Sequence, residues 1–373
     1  MLASASYVCP IRGLASLEPP EPSRLVQTAK VAKGLGIERL MVPVLEESLM
    51  VTTRAKVGFL DGLINSLDRV AEAGPGAWLI APAQRVLGLN WTPPHLVRAA
   101  RDPEADPVFV DGRVRNLRPL DWWENPSIVQ KRIEIFRELV VATSGHPAIT
   151  GWLILDRALE WSRPDPEQAD LVLKSFMAEI RERDEAAIIF IGLGWSELLD
   201  PEVALILARQ VDGVYISGGE MKPPGITTRA DLADELTLAS YLGTMARWLF
   251  GRPTEVEIGW GMLDRIGDTE ETMEGFKRLA GHGIAGVNWV SLIDPEPRLY
   301  GHPPWVLRPG LERVGLIDQG VEPKEHLETW LKQIRSGKPK DGVNDFIDIS
   351  KQEYLDDPHT QLPRLWNHFR ESS

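Results

Sequence analysis

Acidic side chains follow the short apolar segments of this chain at intervals. They are Glu46 and Glu47, Asp156 and Glu160, Glu197, Glu220, Glu257 and Asp294. Carboxyl groups around one opening suit general acid and base chemistry on an uncharged substrate. Histidine and cysteine show no comparable pattern, because the seven histidines are dispersed and Cys9 is the single cysteine. We therefore expect no metal site and no cofactor.

Tryptophans occur beside the same segment ends. Of the 13 tryptophans in the chain, those at or just after segment ends are Trp161, Trp195, Trp260 and Trp289, and the long connection 90–125 adds Trp91, Trp122 and Trp123. An exposed indole offers a flat apolar face and one N–H donor, a surface that stacks on sugar rings. Any one tryptophan is more often a core residue, so it is the grouping that indicates a carbohydrate cleft.

The apolar segments have strand length and alternate with longer helical patterns, which predicts βα units and a parallel sheet. In order they are SYVCPI, ERLMVPV, AWLIAPA, AITGWLIL, AAIIFIG, VDGVYIS, TEVEIG and AGVNWVSLI. Eight such units favour a (β/α)8 TIM barrel over residues 1–337. In a barrel the carboxyl ends of the strands share one rim, so the residues that follow them would converge there. Tyr215, near the end of the sixth segment, joins this predicted substrate-binding set.

Composition narrows the possible partners. The chain has 41 basic and 54 acidic residues, and its net charge of −13 disfavours nucleic acid and anionic membranes. No segment reaches the roughly 18 apolar residues of a membrane span, so we expect a soluble, cytoplasmic protein. Residues 338–373 are predicted to form a C-terminal tail that packs on the barrel or contacts a partner. The sequence does not indicate an oligomeric state.

Two segments resemble parts of a known group of enzymes. HPAITGW, residues 146–152, and GRPTEVEIGW, residues 251–260, look like the fourth and seventh strands of clan A glycoside hydrolases. These are retaining (β/α)8 enzymes that include families 5, 39 and 42, and the resemblance extends loosely over residues 6–310, including Arg12-Gly13 after the first strand. By this match Glu257 takes the position of the nucleophile. Strand alternation agrees, because Glu255, Glu257 and Gly259 share one face.

The fourth strand departs from the clan's pattern. Where the clan has Asn-Glu, this chain has Asp156 and Arg157, so an arginine stands at the position of the acid/base. Arginine stays protonated near neutral pH and cannot alternate as acid and base. The resemblance therefore implies a glycoside-hydrolase-like barrel that binds a small carbohydrate but is atypical or degenerate in catalysis. We also predict that the Arg157 guanidinium bonds the Glu257 carboxylate across the mouth, directly or through one water.

Two alternatives remain at the level of sequence. In the first, the protein is an active retaining glycosidase, with Glu257 as nucleophile and Glu160, Glu197 or Glu220 as the proton donor. In the second, it is another kind of enzyme, and Arg157 clamps an acidic small molecule such as a uronate. In all three hypotheses the candidate catalytic residues are Asp156, Arg157, Glu160 and Glu257, and the candidate substrate-binding residues are Trp161, Trp195, Glu197, Tyr215, Glu220, Trp260 and Trp289.

Overall fold

A closed barrel of eight parallel strands forms the centre of the molecule, which confirms the predicted (β/α)8 fold. The computed structural model describes residues 1–10, 22–101, 105, 107–160, 162–217, 223–228, 231–260, 269–308, 310–325, 327–337 and 345–371. The barrel strands are β1 (Leu2–Ser6), β2 (Arg39–Leu45), β3 (Gly76–Ala83), β4 (Ile149–Ile154), β5 (Ile189–Leu193), β6 (Gly213–Ile216), β7 (Thr254–Ile258) and β8 (Gly286–Trp289). Each strand pairs with the next along the chain, and β8 pairs with β1.

Among the described residues, a helix of seven or more residues follows each barrel strand. These helices are α1 (Pro22–Leu35), α2 (Thr53–Ala73), α3 (Pro126–Thr143), α4 (Pro166–Arg181), α5 (Glu202–Ala208), α6 (Leu232–Phe250), α7 (Thr269–Gly281) and α8 (Leu327–Ser336). Their ends carry ordinary capping signals. Asn125 accepts a hydrogen bond from the backbone of Ile128 at the start of α3, and α6 ends at Gly251 with a left-handed φ of 66°.

A buried ion pair lies at the amino-terminal end of the barrel interior. Arg39 of β2 pairs with Glu255 of β7, and its guanidinium also donates to Ser4 Oγ at 3.2 Å. The same guanidinium lies 3.7 Å from the ring centre of Trp78, which in turn meets Phe190 edge to face. This layer closes the barrel below the mouth and leaves the strand ends at the opposite rim for the site.

The connection between β3 and α3 folds into a small sheet. Its strands are Arg85–Val86, Leu89–Trp91, Val97–Arg101, Pro107–Val110 and Arg113–Pro119. Trp91 packs on Phe109 inside this insert, and Trp122 stacks on Trp123 with ring centres 4.1 Å apart. All three of these tryptophans are buried, so they belong to the core of the insert and its junction with the barrel rather than to an open cleft.

Two further helices form the tail, α9 (Lys351–Asp356) and α10 (Pro358–Glu371). The apolar side of α10 is buried and consists of Leu362, Leu365, Trp366 and Phe369. The hydroxyl of Tyr354 donates to the carbonyl of Leu198 at 2.8 Å, which joins α9 to the loop after β5. None of the described helices is both long enough and apolar enough to cross a bilayer.

The predicted position of the first strand is wrong. The segment SYVCPI begins at Ser6, whereas β1 ends there, after starting at Leu2. The small residues of LASAS carry little strand signal, and they form a strand because β2 and β8 flank them on both sides. Arg12 and Gly13, quoted for the family resemblance, lie outside the described residues.

We expect a large loss of stability when one partner of the buried Arg39–Glu255 ion pair is removed. Replacement Glu255→Ala leaves the Arg39 charge buried without its carboxylate, and we expect this to lower the free energy of unfolding by about 3–5 kcal/mol. Glu72→Ala, which breaks the exposed pair with Arg69, is the control and should cost about 1 kcal/mol or less. Denaturant titration measures both values. Equal, small losses of unfolding free energy in the two variants would contradict a stabilising role for the pairing of Glu255 with Arg39.

Candidate active site

Glu257 lies at the carboxyl end of β7 and is held by two donors. The hydroxyl of Tyr215 on β6 donates to Oε2 at 2.9 Å, and the indole Nε1 of Trp260 donates to Oε1 at 2.9 Å. Asn288 of β8 in turn donates to the Tyr215 oxygen at 2.8 Å and to Ser6 Oγ at 2.9 Å. Burial, and then the nearby charge of Glu257, raise the pKa of Tyr215 well above its usual range, so it keeps the proton it donates. The carboxylate is thus oriented by a chain of hydrogen bonds that spans several strands.

Asp156 follows β4 and is buried. Burial is the largest cause that raises the pKa of this carboxyl, to about 7; the charges of Glu257 and Glu160 add to it and Arg157 opposes it. The side chain fits over β5 because residue 192 is glycine: a Cβ there would lie 2.1 Å from Oδ1. Within the described residues Oδ1 has no hydrogen-bond partner. Asp156 is therefore a carboxyl group that can be protonated or ionised near neutral pH.

Arg157 and Glu160 form a buried pair at the turn after β4. The Nε of Arg157 donates to Glu160 Oε1 at 2.8 Å, and the Nη1 of Arg85, from the insert, donates to Oε2 at 3.0 Å. Both Leu155 and Arg157 have left-handed φ values, 50° and 53°, which turn the chain sharply back over the strand end. Residue 194 is glycine, and a Cβ there would lie 2.2 Å from Glu160 Oε1. Each oxygen of Glu160 thus faces a guanidinium group.

A direct bond between Arg157 and Glu257 is not among the contacts that the structure describes, and the bond through one water stays a prediction. Arg157 pairs with Glu160, and the donors described for Glu257 are Tyr215 and Trp260. Left-handed φ values at Leu155 and Arg157 turn the chain sharply, and the Arg157 guanidinium pairs with Glu160, three residues further along.

Glu197 is buried beside this pair. It accepts hydrogen bonds from the backbone N–H of Gly194 at 2.6 Å and from Ser196 Oγ at 3.0 Å. Burial, and then the charge of Glu160, raise the pKa of Glu197 above its usual value. Trp195, immediately before the short helix Ser196–Leu199, is partly buried against the hydrophobic core. The structure brings Glu197 to the Asp156 and Glu160 side of the mouth.

The predicted place of Trp289 in the cleft is wrong. Its side chain is 2% exposed, its indole donates to the Val314 carbonyl at 2.8 Å, and its ring lies parallel to that of Trp330 on α8. In a strand, neighbouring side chains point to opposite faces. Asn288 is in register with Glu257 and bonds Tyr215 inside the barrel, so Trp289 faces outward.

The remaining predicted residues divide into three groups. Trp260 is half-buried and touches Glu257, as described above. Trp161 and Glu220 lie outside the described residues. Glu46 and Asp294 have structural partners instead, since Glu46 is buried against Arg132 and Asp294 binds Lys324 and the backbone of Gly315.

Sequence reasoning missed Arg85, Asn288 and Glu235. Arg85 lies in an insert of many arginines and had no distinguishing signal. Asn288 did have one, because it is a polar residue inside an apolar strand. Glu235 gave none, since it reads as one more acidic residue near a helix start. Within the described ranges, no group of three or more His, Cys, Asp or Glu side chains is placed to hold a metal ion.

Comparison with known proteins places the fold among glycoside hydrolases. No family profile matches the sequence, and no curated protein matches it either. Solved structures do match it. A GH5_18 from Streptomyces cattleya in complex with GlcNAc gives a TM-score of 0.67 at 14% identity over 91% of this chain and 83% of the other. The exo-beta-1,4-mannosidase Op5Man5 from Opitutaceae bacterium strain TAV5 gives 0.67 at 15% identity over 90% and 59%.

A third neighbour, the beta-galactosidase from the psychrophilic Marinomonas ef1, gives a TM-score of 0.61 at 13% identity over 97% of this chain and 62% of the other. The structural neighbours are thus GH5_18 and other clan A glycoside hydrolases. At these identities the likeness establishes a shared barrel fold, which agrees with the resemblance stated from HPAITGW and GRPTEVEIGW.

The environment of Asp156 predicts a pH-dependent stability. Because the pKa of Asp156 is about 7 in the folded protein and 3.8 for an ordinary aspartate, the native state holds this proton more tightly, and the corresponding stability is lost as pH rises from about 4 to 7. Asp156→Asn removes this loss. We expect the variant to be more stable than the wild type above pH 7 by a few kcal/mol, at about 1.4 kcal/mol per pKa unit, with the difference reduced near pH 4.

The control variant, Asp348→Asn, should change the stability in the opposite direction. Arg364 lowers the pKa of Asp348, so Asp348→Asn should reduce stability at neutral pH. Urea unfolding of the three proteins from pH 4 to 8 gives the comparison. A pH-independent difference between wild type and Asp156→Asn would contradict the raised pKa.

Proposed function

We propose that this protein is a glycoside-hydrolase-like barrel that binds a saccharide at its mouth and lacks the normal acid/base of double displacement. The single observation that carries the proposal is the pairing of Glu160 with the guanidinium group of Arg157. By the resemblance of the fourth strand, an arginine stands where the clan has its catalytic acid. Glu160, three residues further along, is bonded at both oxygens by guanidinium groups.

Saccharide binding is supported by the arrangement around Glu257. An oriented carboxylate accepts hydrogen bonds from sugar hydroxyls, and the half-buried Trp260 beside it supplies an apolar face. The structural neighbours include a protein solved with GlcNAc, a beta-1,4-mannosidase and a beta-galactosidase. Beta-mannosides, beta-galactosides and GlcNAc are therefore the first probes to use.

Double displacement is disfavoured for a chemical reason. A retaining enzyme needs a second carboxyl group, about 5–5.5 Å from the nucleophile, that first gives up a proton and then takes one back. Arg157 cannot do this. Glu160 accepts a guanidinium hydrogen at each oxygen, so a proton on either oxygen would displace one of two charge-assisted bonds.

A second candidate function is hydrolysis with Asp156 as the proton donor. The observation that favours it is the pKa of about 7, which lies where a general acid works best at neutral pH. In that case the rate would fall as pH rises above about 7, because the fraction of protonated Asp156 decreases. Asp156→Asn would abolish the activity and leave saccharide affinity largely intact.

Binding should depend on the Glu257 charge. In calorimetric titrations with the probes above and a uronate, we expect Glu257→Gln to weaken saccharide binding by roughly tenfold or more, since hydrogen bonds to a charged group contribute about 1.5–3 kcal/mol. Glu72→Gln, an exposed control on α2, should bind like the wild type. Equal affinity of wild type and Glu257→Gln would contradict the proposed site, and a strong preference for the uronate would support the acidic-substrate alternative.

Replacing Asp156 and Arg157 with the clan's Asn-Glu should increase glycosidase activity. We expect the double variant Asp156→Asn with Arg157→Glu to hydrolyse aryl beta-glycosides faster than the wild type, because it returns a carboxyl group to the acid/base position. Adding Glu257→Ala should abolish the gain. Initial rates between pH 5 and 8 measure it. A folded double variant that binds the saccharide and shows no gain over wild type would contradict the assignment of position 157.

A further inference from the structure

The turn after β7 is held by a carboxylate from a neighbouring helix. Oε1 of Glu235, in the first turn of α6, accepts from the backbone N–H of Gly259 at 2.6 Å and from that of Trp260 at 2.9 Å. Glu235 is buried, so both bonds are made away from bulk water. Two consecutive backbone donors on one ionised oxygen are stronger than ordinary loop contacts, because the charge assists each bond.

The same turn is confined on its other side. Gly259 has a left-handed φ of 98°, and a Cβ at this position would lie 2.6 Å from the indole nitrogen of Trp289. A cavity of about 10 Å³ lies between α6 and β7, with Glu235 and Glu257 in its lining, and has room for about one water molecule. A side chain at residue 259 would therefore collide with the Trp289 ring, so the turn requires glycine at this position.

The position of this turn affects the candidate nucleophile, Glu257, through the side chain of Trp260. The N–H of Trp260 is fixed by Glu235, and the indole of Trp260 donates to Glu257 Oε1 at 2.9 Å. The direction of the indole depends on where its own backbone lies. A shift of the turn would move the indole ring away from Glu257 and change the face that it presents to the mouth.

We infer that Glu235 is a positioning residue, which holds the Gly259–Trp260 turn so that the Trp260 indole stays on Glu257 and on the saccharide-binding face. The effect on saccharide affinity rests on the proposed function. The effect on the position of Trp260 does not, and it can be measured without any ligand.

The test uses protein labelled with 5-fluorotryptophan and fluorine NMR, with the Trp260 signal assigned through Trp260→Phe. We expect Glu235→Leu to shift or broaden the Trp260 signal, because the two backbone donors lose their acceptor. Glu235→Gln should retain most of the wild-type signal, since its amide oxygen can still accept from both N–H groups. Thr237→Val, on the same helix and away from the turn, is the control and should leave the Trp260 signal unchanged.

Calorimetry with the best-binding saccharide gives the second readout. We expect affinity to fall roughly tenfold in Glu235→Leu and less than threefold in Glu235→Gln. If Glu235→Leu does not fold, Glu235→Asp carries the same expectation, because it withdraws the oxygen by one methylene. An unchanged Trp260 signal in the folded variant overturns this inference whatever the saccharide does. A displaced signal in a protein that binds no saccharide overturns the proposed function and supports the positioning role.

Discussion

The chemistry available at the mouth depends on one carboxylate that two arginines share. Glu160 binds Arg157 from its own turn and Arg85 from the insert after β3. Taking such charges out of water is costly, and only close, well-directed pairing offsets the cost. The pairing has two consequences. It gives Arg157 a carboxylate partner three residues away, and it places a guanidinium group at each oxygen of Glu160.

The carboxyl groups on the two sides of the mouth have different surroundings. Glu257 on β7 accepts two directed hydrogen bonds, whereas Asp156 after β4 is buried with an oxygen that has no partner among the described residues. Burial and neighbouring carboxylates favour the protonated form of Asp156. Paired acids in unlike environments are what acid and nucleophile roles require. Asp156 and Glu257 thus differ in their burial and in their hydrogen bonding.

The sequence predicted the barrel well because its signals are local. Eight short apolar runs alternate with helical patterns, and the last seven overlap barrel strands in order, whereas the first shares only Ser6 with β1. Alternation along β7 also placed Glu257 inside. The same argument applied to β8 would have turned Trp289 outward, since Asn288 is in register with Glu257. The Arg157–Glu160 pair was beyond sequence reasoning, because it needs left-handed φ values at Leu155 and Arg157, where no glycine signals them.

A crystal structure of the protein with a bound saccharide tests the central claim most directly. We predict a sugar ring at the carboxyl ends of the strands, within hydrogen-bond distance of Glu257 and against Trp260, with the pairing of Glu160 to Arg157 and Arg85 intact. A saccharide bound elsewhere, with the mouth unoccupied, would contradict the proposed site. A complex in which Glu160 leaves both arginines and approaches the glycosidic oxygen would contradict the claim that this residue is unavailable as an acid.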